Sequence, residues 1–166
     1  MTEHGTSQQV AWKTTIAFGA PAVGAGYMYL LLSLYVMKFS TDVLLIAPAV
    51  MGAIFSLSRI WDAISDPLVG YFSDRTSSRL GRRRTWILLS SVPISIGFYA
   101  VFAPPLGWDV NSLGWWMTFA VLGFYSAMTL FFVPHMALGA ELSTNYHERS
   151  RLFGMRHIFY TLGSIL

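Results

Sequence analysis

Four apolar stretches, at roughly 12–39, 46–72, 86–106 and 113–140, and the start of a fifth at 152–166, leave this chain few ways to fold. A bilayer core is about 30 Å thick and takes about 20 apolar residues as a helix. Inside it, every backbone N–H and C=O must find a partner within the protein. The chain is 54% hydrophobic and only 11% charged, against about 25% charged in soluble domains. The expected class is an all-α polytopic membrane protein with short connections and no soluble domain. There is no Cys, which excludes disulfides and thiolate-bound metals. The first apolar run is too long for a signal peptide and reads as a retained span. The last run reaches Leu166 without a polar flank, as an N-terminal piece of a larger protein would.

The basic residues orient the helices. Arg75, Arg79, Arg82, Arg83 and Arg84 follow the second run, Arg149 and Arg151 follow the fourth, and Lys13 flanks the first; the opposite loops hold only Lys38. Basic residues gather on the cytoplasmic side of membrane proteins. The N-terminus and both Arg-rich loops are therefore expected in the cytoplasm of a cell membrane, plasma or bacterial inner. Trp12, Trp86, Trp108, Trp115 and Trp116 lie near span ends, as interfacial anchors do. The Arg-rich loop is too short between spans to suggest nucleic-acid binding.

The second run carries a charged cluster near its centre: Arg59-Ile60-Trp61-Asp62-Ala63-Ile64-Ser65-Asp66-Pro67. A charge at that depth costs roughly 2.5–3.5 kcal/mol, so it must pair, meet water or bind something. Arg59, Asp62 and Asp66 are spaced three and four apart, which puts them on one helix face. Two carboxylates against one guanidinium leave a net negative charge, suited to a small cation. Ser65 adds a hydroxyl. Pro67 has no N–H for the carbonyl of Ala63, which frees that oxygen. Hard cations prefer oxygen ligands, and carboxylates at membrane depth also serve proton relays. The bland alternative is that Arg59 simply neutralises Asp62 while Asp66 pairs elsewhere.

The next segment, Gly70 to Arg84, sets glycines and Asp74 among arginines and suits a tight turn between two helices. Asp74 at a helix C-terminus opposes the helix dipole, which calls for a basic partner. In the first run, Gly19, Ala20, Ala22, Gly24, Ala25 and Gly26 suit close helix packing, and Pro21 allows a bend. His135 and His157 have no second His or Cys at metal-ligand spacing. Nothing resembles a nucleophile with its base, so an enzyme is not expected, and no cofactor is implied.

The motif R-I-W-D-A-I-S-D-P-L-V-G, followed by D-R and by R-x-G-R-R-R-x-W, resembles the glycoside–pentoside–hexuronide cation symporters, the melibiose-permease group of the major facilitator superfamily. The run V-P-H-M-A-L-G-A-E-L and the later E-R-S-R are similar to that family's fourth helix end and following loop. The resemblance covers nearly the whole chain. It implies a major facilitator-type N-terminal helical bundle, about five of twelve transmembrane helices.

The resemblance assigns the cation site to Asp62, Asp66, Ser65 and, from the fourth helix, Thr129, with sodium or a proton as coupling ion. Arg59 would be their charge partner. Asp74, Arg75, Arg79, Arg82 and Arg83 would form a cytoplasmic gate. The substrate cavity would include Gly24, Tyr27, Phe132 and Arg156. Sugar-binding members carry acids where this chain has Gly24 (or Gly26) and Phe132, which points to a glycoside held differently or to a less polar, amphipathic solute. The implied function is cation-coupled symport of a small organic solute. The implied partners are membrane lipids, the solute and the second half of the transporter, without which this chain should not transport. The competing reading is a non-transporting membrane sensor or scaffold with the same fold.

Overall fold

The computed structural model describes residues 10–166. Every regular element among them is helical: α1 (Trp12–Gly19), α2 (Pro21–Leu31), two π-helical turns (Leu32–Val36 and Phe39–Val43), α3 (Pro48–Arg75), α4 (Arg82–Phe102), α5 (Val110–Glu141) and α6 (Tyr146–Gly163). Pro21 divides α1 from α2, because it cannot donate to the preceding turn. Among the described residues, three stretches are long and apolar enough to cross a membrane: Trp12–Val36, Arg82–Phe102 and Val110–Glu141. At 28 residues α3 is also long enough, and its central charges set it apart from those three.

The helix limits have local causes. α4 starts at Arg82 rather than near Trp86, because Gly81 at φ +94° makes the turn. It stops at Phe102 rather than near Leu106, since Pro104 and Pro105 follow and the residue before a proline avoids helical ψ. Asp109 precedes α5 and accepts hydrogen bonds from the amides of Asn111 (3.1 Å) and Ser112 (3.2 Å) and from the Ser112 hydroxyl (2.6 Å). Those bonds, that from the Ser112 hydroxyl foremost, hold the Asp109 carboxyl below the usual carboxylate range. Asn145 caps α6 by accepting from His147 N (2.8 Å) and Glu148 N (3.4 Å). That cap starts α6 well ahead of residue 152.

The described residues form two compact units, those up to Leu30 with Leu138–Leu166, and Leu31–Ala137. In the first, α1 and α2 lie against α6 at backbone contact. A Cβ on Gly26 would strike the Tyr160 carbonyl oxygen, and one on Gly163 would strike that of Val23. Here the small residues of the first span work as packing surface. Phe18 and Phe153 meet edge to face at 5.9 Å and close over Gly139.

In the second unit, α4 and α5 share a seam at which Gly97 abuts the backbone of Phe124. Phe98 packs on the fully buried Phe124 ring at 5.9 Å. Trp116 Nε1 donates to the carbonyl of Ala100 at 2.9 Å. The opposite face of α4 is apolar too: Leu88, Val92, Ile96 and Tyr99 are exposed, while Ser90 and Arg83 are buried. An outward hydrocarbon face over a partly polar inner one is what a lipid-facing helix requires.

Candidate functional site

α3 sets Arg59, Asp62 and Asp66 along one stripe, and α5 sets Tyr125 and Thr129 along another. Arg59 Nη1 lies 3.3 Å from Asp62 Oδ2, a long contact for a charge-assisted pair. Its Nη2 donates to the Tyr125 hydroxyl at 3.1 Å, with the guanidinium 4.8 Å from the centre of that ring. Next door, Trp61 Nε1 donates to Ser126 Oγ at 2.7 Å. These contacts tie the middle of α3 to the middle of α5.

The Asp62 carboxylate is only half used. Its Oδ1 is buried and has no hydrogen-bond partner among the described residues. A buried carboxylate oxygen without a donor is costly, and such an atom is an open ligand. Ser65 is buried, its hydroxyl 3.5 Å from the Asp62 carbonyl. Asp66 is exposed and makes no ion pair among the described residues, so it is not consumed in a structural bridge. Thr129 is buried on α5, and no hydrogen bond joins it to either acid. No group of three or more His, Cys, Asp or Glu is placed to hold a metal among the described residues. A cation here would therefore use carboxylate, hydroxyl and carbonyl oxygens together, and the open Asp62 oxygen fits such an ion.

A second cluster surrounds the α3–α4 turn. Asp74 pairs with Arg83, which is buried and also donates to Ser73 Oγ at 2.8 Å. Arg75 donates to the Tyr71 hydroxyl and stacks over that ring at 4.0 Å. Thr85 and Trp86 fasten the turn through Ser78 Oγ and Thr76 Oγ1, each at 2.8 Å. Arg79 and Arg82 are exposed. Of the expected gate residues, the structure thus joins Asp74 to Arg83 directly and leaves the others around them.

The expected cavity residues belong to both units. Gly24 and Tyr27 are exposed and Arg156 half-buried in the first unit. In the second, Phe132 is half-buried, its ring 5.4 Å from that of Phe131. The sequence reading passed over Tyr125 and over the role of Glu148. Glu148 is buried, accepts from Val10 N at 2.9 Å and pairs with Arg151 at 2.9 Å. Arg151 also donates to the Val10 carbonyl and lies 5.1 Å over the Trp12 ring. The signal for Tyr125 was its position one turn before Thr129.

Helices of this length, with acids and an arginine held inside them, define a multi-pass membrane protein. The profile of the MFS/sugar transport protein family matches residues 17–166. The chain belongs to that family, within the glycoside–pentoside–hexuronide type of the major facilitator superfamily. It is 34% identical to an uncharacterized symporter of Synechocystis sp., an alignment covering 100% of this chain and 31% of the relative. It is 30% identical to the inner membrane symporter YicJ of Escherichia coli, over 96% of this chain and 35% of that protein. It is 31% identical to the sodium-dependent lysophosphatidylcholine symporter 1 of Xenopus tropicalis, over 81% of this chain and 26% of that protein. The chain thus spans about a third of the length of these curated relatives. All three are named symporters.

Proposed function

We propose that the chain supplies the cation-binding part of a secondary active symporter, with Asp62 and Asp66 as the ion's carboxylate ligands. One observation carries the reading: the buried Asp62 Oδ1 has no hydrogen-bond partner among the described residues, although an arginine lies beside the same carboxylate. A structural Arg–carboxylate pair frequently engages both oxygens in a bidentate fork. Asp66, one turn along and in no ion pair among the described residues, offers the second carboxylate. Ser65, Thr129 and the Ala63 carbonyl freed by Pro67 complete the oxygen set in this proposal.

The coupling ion is sodium or a proton. The Xenopus relative, named a sodium-dependent lysophosphatidylcholine symporter, supports sodium and an amphipathic solute. Phe132 supports a less hydroxyl-rich cargo than a free sugar. Gly24, Tyr27, Phe132 and Arg156 are assigned to the solute in this reading. Transport then follows from two repeats rocking about a midplane site, with the N-terminus in the cytoplasm of a cell membrane. The Asp74–Arg83 pair, with Arg75, Arg79 and Arg82, latches the cytoplasmic side. A cation drives that motion only by binding one state more tightly than the other.

The test is uptake of a panel of labelled glycosides and lysolipids by the complete transporter in proteoliposomes, under sodium or proton gradients. Asp62→Asn and Asp66→Asn should each abolish gradient-driven uptake. Unchanged gradient dependence in both variants refutes the reading.

A further inference from the structure

We propose that Tyr125 is the positioning residue that holds Arg59 partly away from Asp62 and so keeps this carboxylate open to the coupling cation. The inference rests on the cation-site reading above and adds what sets the affinity of that site. An arginine beside a carboxylate frequently closes into a short two-point fork of about 2.7–2.9 Å. Here it does not. The guanidinium spends one nitrogen on Asp62, at 3.3 Å, and another on the Tyr125 hydroxyl, at 3.1 Å. The Tyr125 ring also lies 4.8 Å beneath the guanidinium carbon, within cation–π range.

Tyr125 can hold the guanidinium because it cannot itself move far. It is 4% exposed in the body of α5, and its neighbour Ser126 is bonded to Trp61 at 2.7 Å. The divided guanidinium leaves Asp62 Oδ1 without a donor. Arg59 and a bound cation are rivals for the same carboxylate. Every increment of attraction toward Tyr125 weakens the arginine as a competitor and strengthens ion binding. A bound cation then shifts Arg59 further from Asp62 toward the Tyr125 ring. That displacement is a difference between two states which the ion can exploit.

The experiment titrates the complete transporter in proteoliposomes with sodium chloride against choline chloride at fixed pH, and with protons in sodium-free buffer. It reads intrinsic tryptophan fluorescence and solute uptake. Tyr125→Phe keeps the ring and loses the hydroxyl; Tyr125→Leu loses both. Tyr125→Phe should raise the half-saturating concentration of the coupling ion about tenfold, as befits a hydrogen bond to a charged group, with the maximal uptake rate kept. Tyr125→Leu should raise it further. In an Arg59→Gln background, Tyr125→Phe should have no effect on the half-saturating concentration. An unchanged half-saturation in both Tyr125 variants overturns the proposal, as does an equal shift with and without Arg59. If uptake by the parent protein ignores both ions, the cation-site reading itself fails; if Asp62→Asn abolishes coupling while Tyr125→Phe changes nothing, only the role of Tyr125 falls.

Discussion

Gly97→Ala places a methyl group where the α4–α5 seam has no room. Its carbon would lie 2.9 Å from Phe124 Cα, 3.2 Å from Phe124 Cβ and 3.2 Å from Phe124 N. Carbon atoms rest at about 3.5–4.0 Å, so the two helices must part by roughly 0.6–1 Å at this point. Side-chain rotation offers no relief, since two of the three atoms are backbone and the Phe124 ring is fully buried. The bond from Trp116 Nε1 to the Ala100 carbonyl crosses the same seam at 2.9 Å. Parting the helices by that much would stretch it to about 3.5 Å or more, outside useful range. Overpacking costs about 1–3 kcal/mol and the weakened bond about 0.5–1.5 kcal/mol. The gain in helix propensity from Gly to Ala offsets about 1 kcal/mol. The net loss is about 1–3 kcal/mol. Thermal unfolding of the purified protein in detergent, followed by the monodisperse fraction after heating, measures it. Gly123→Ala on α5 is the control, since its methyl meets nothing within 4 Å. A Gly97→Ala protein as heat-stable as Gly123→Ala would refute the seam argument.

Two other outcomes are expected from the same kind of reasoning. Gly26→Ala drives a methyl into the Tyr160 carbonyl oxygen, so it should cost about 1–3 kcal/mol or more, while Gly24→Ala, in open space, should be tolerated; equal melting of the two variants would contradict the α2–α6 contact. Asp109 has its carboxyl held below the usual range by Ser112 and Asn111. Its contribution is therefore present above the unfolded carboxylate value of about 3.9 and is lost as pH falls through the lower folded value. Asp109→Asn keeps the cap and removes the charge, so melting temperature should depend less on pH below about pH 4 than in the parent; parallel curves would count against it.

What could be read from the sequence was local. Helical spacing put Arg59, Asp62 and Asp66 on one face, and apolar length marked the spans. Contacts between helices left no periodic trace. Tyr125 lies 66 residues from Arg59 along the chain, and no spacing rule relates them. Asp74 needed a basic partner by its place at a helix end, yet five nearby arginines were equal candidates until the Gly81 turn carried Arg83 back to it. The small residues of the first span also hid two different surroundings: Gly26 is crowded by backbone, whereas nothing approaches Gly24.

The α2–α6 crossing has a practical consequence. Where Gly26 and Gly163 meet opposing main chain, only hydrogen fits, so neither position can accept a spectroscopic tag or an engineered thiol. Gly24, Gly52, Gly114 and Gly123 have vacant room around them, and reporters attached there would follow helix motion while leaving intact the contact that makes α2 and α6 travel together.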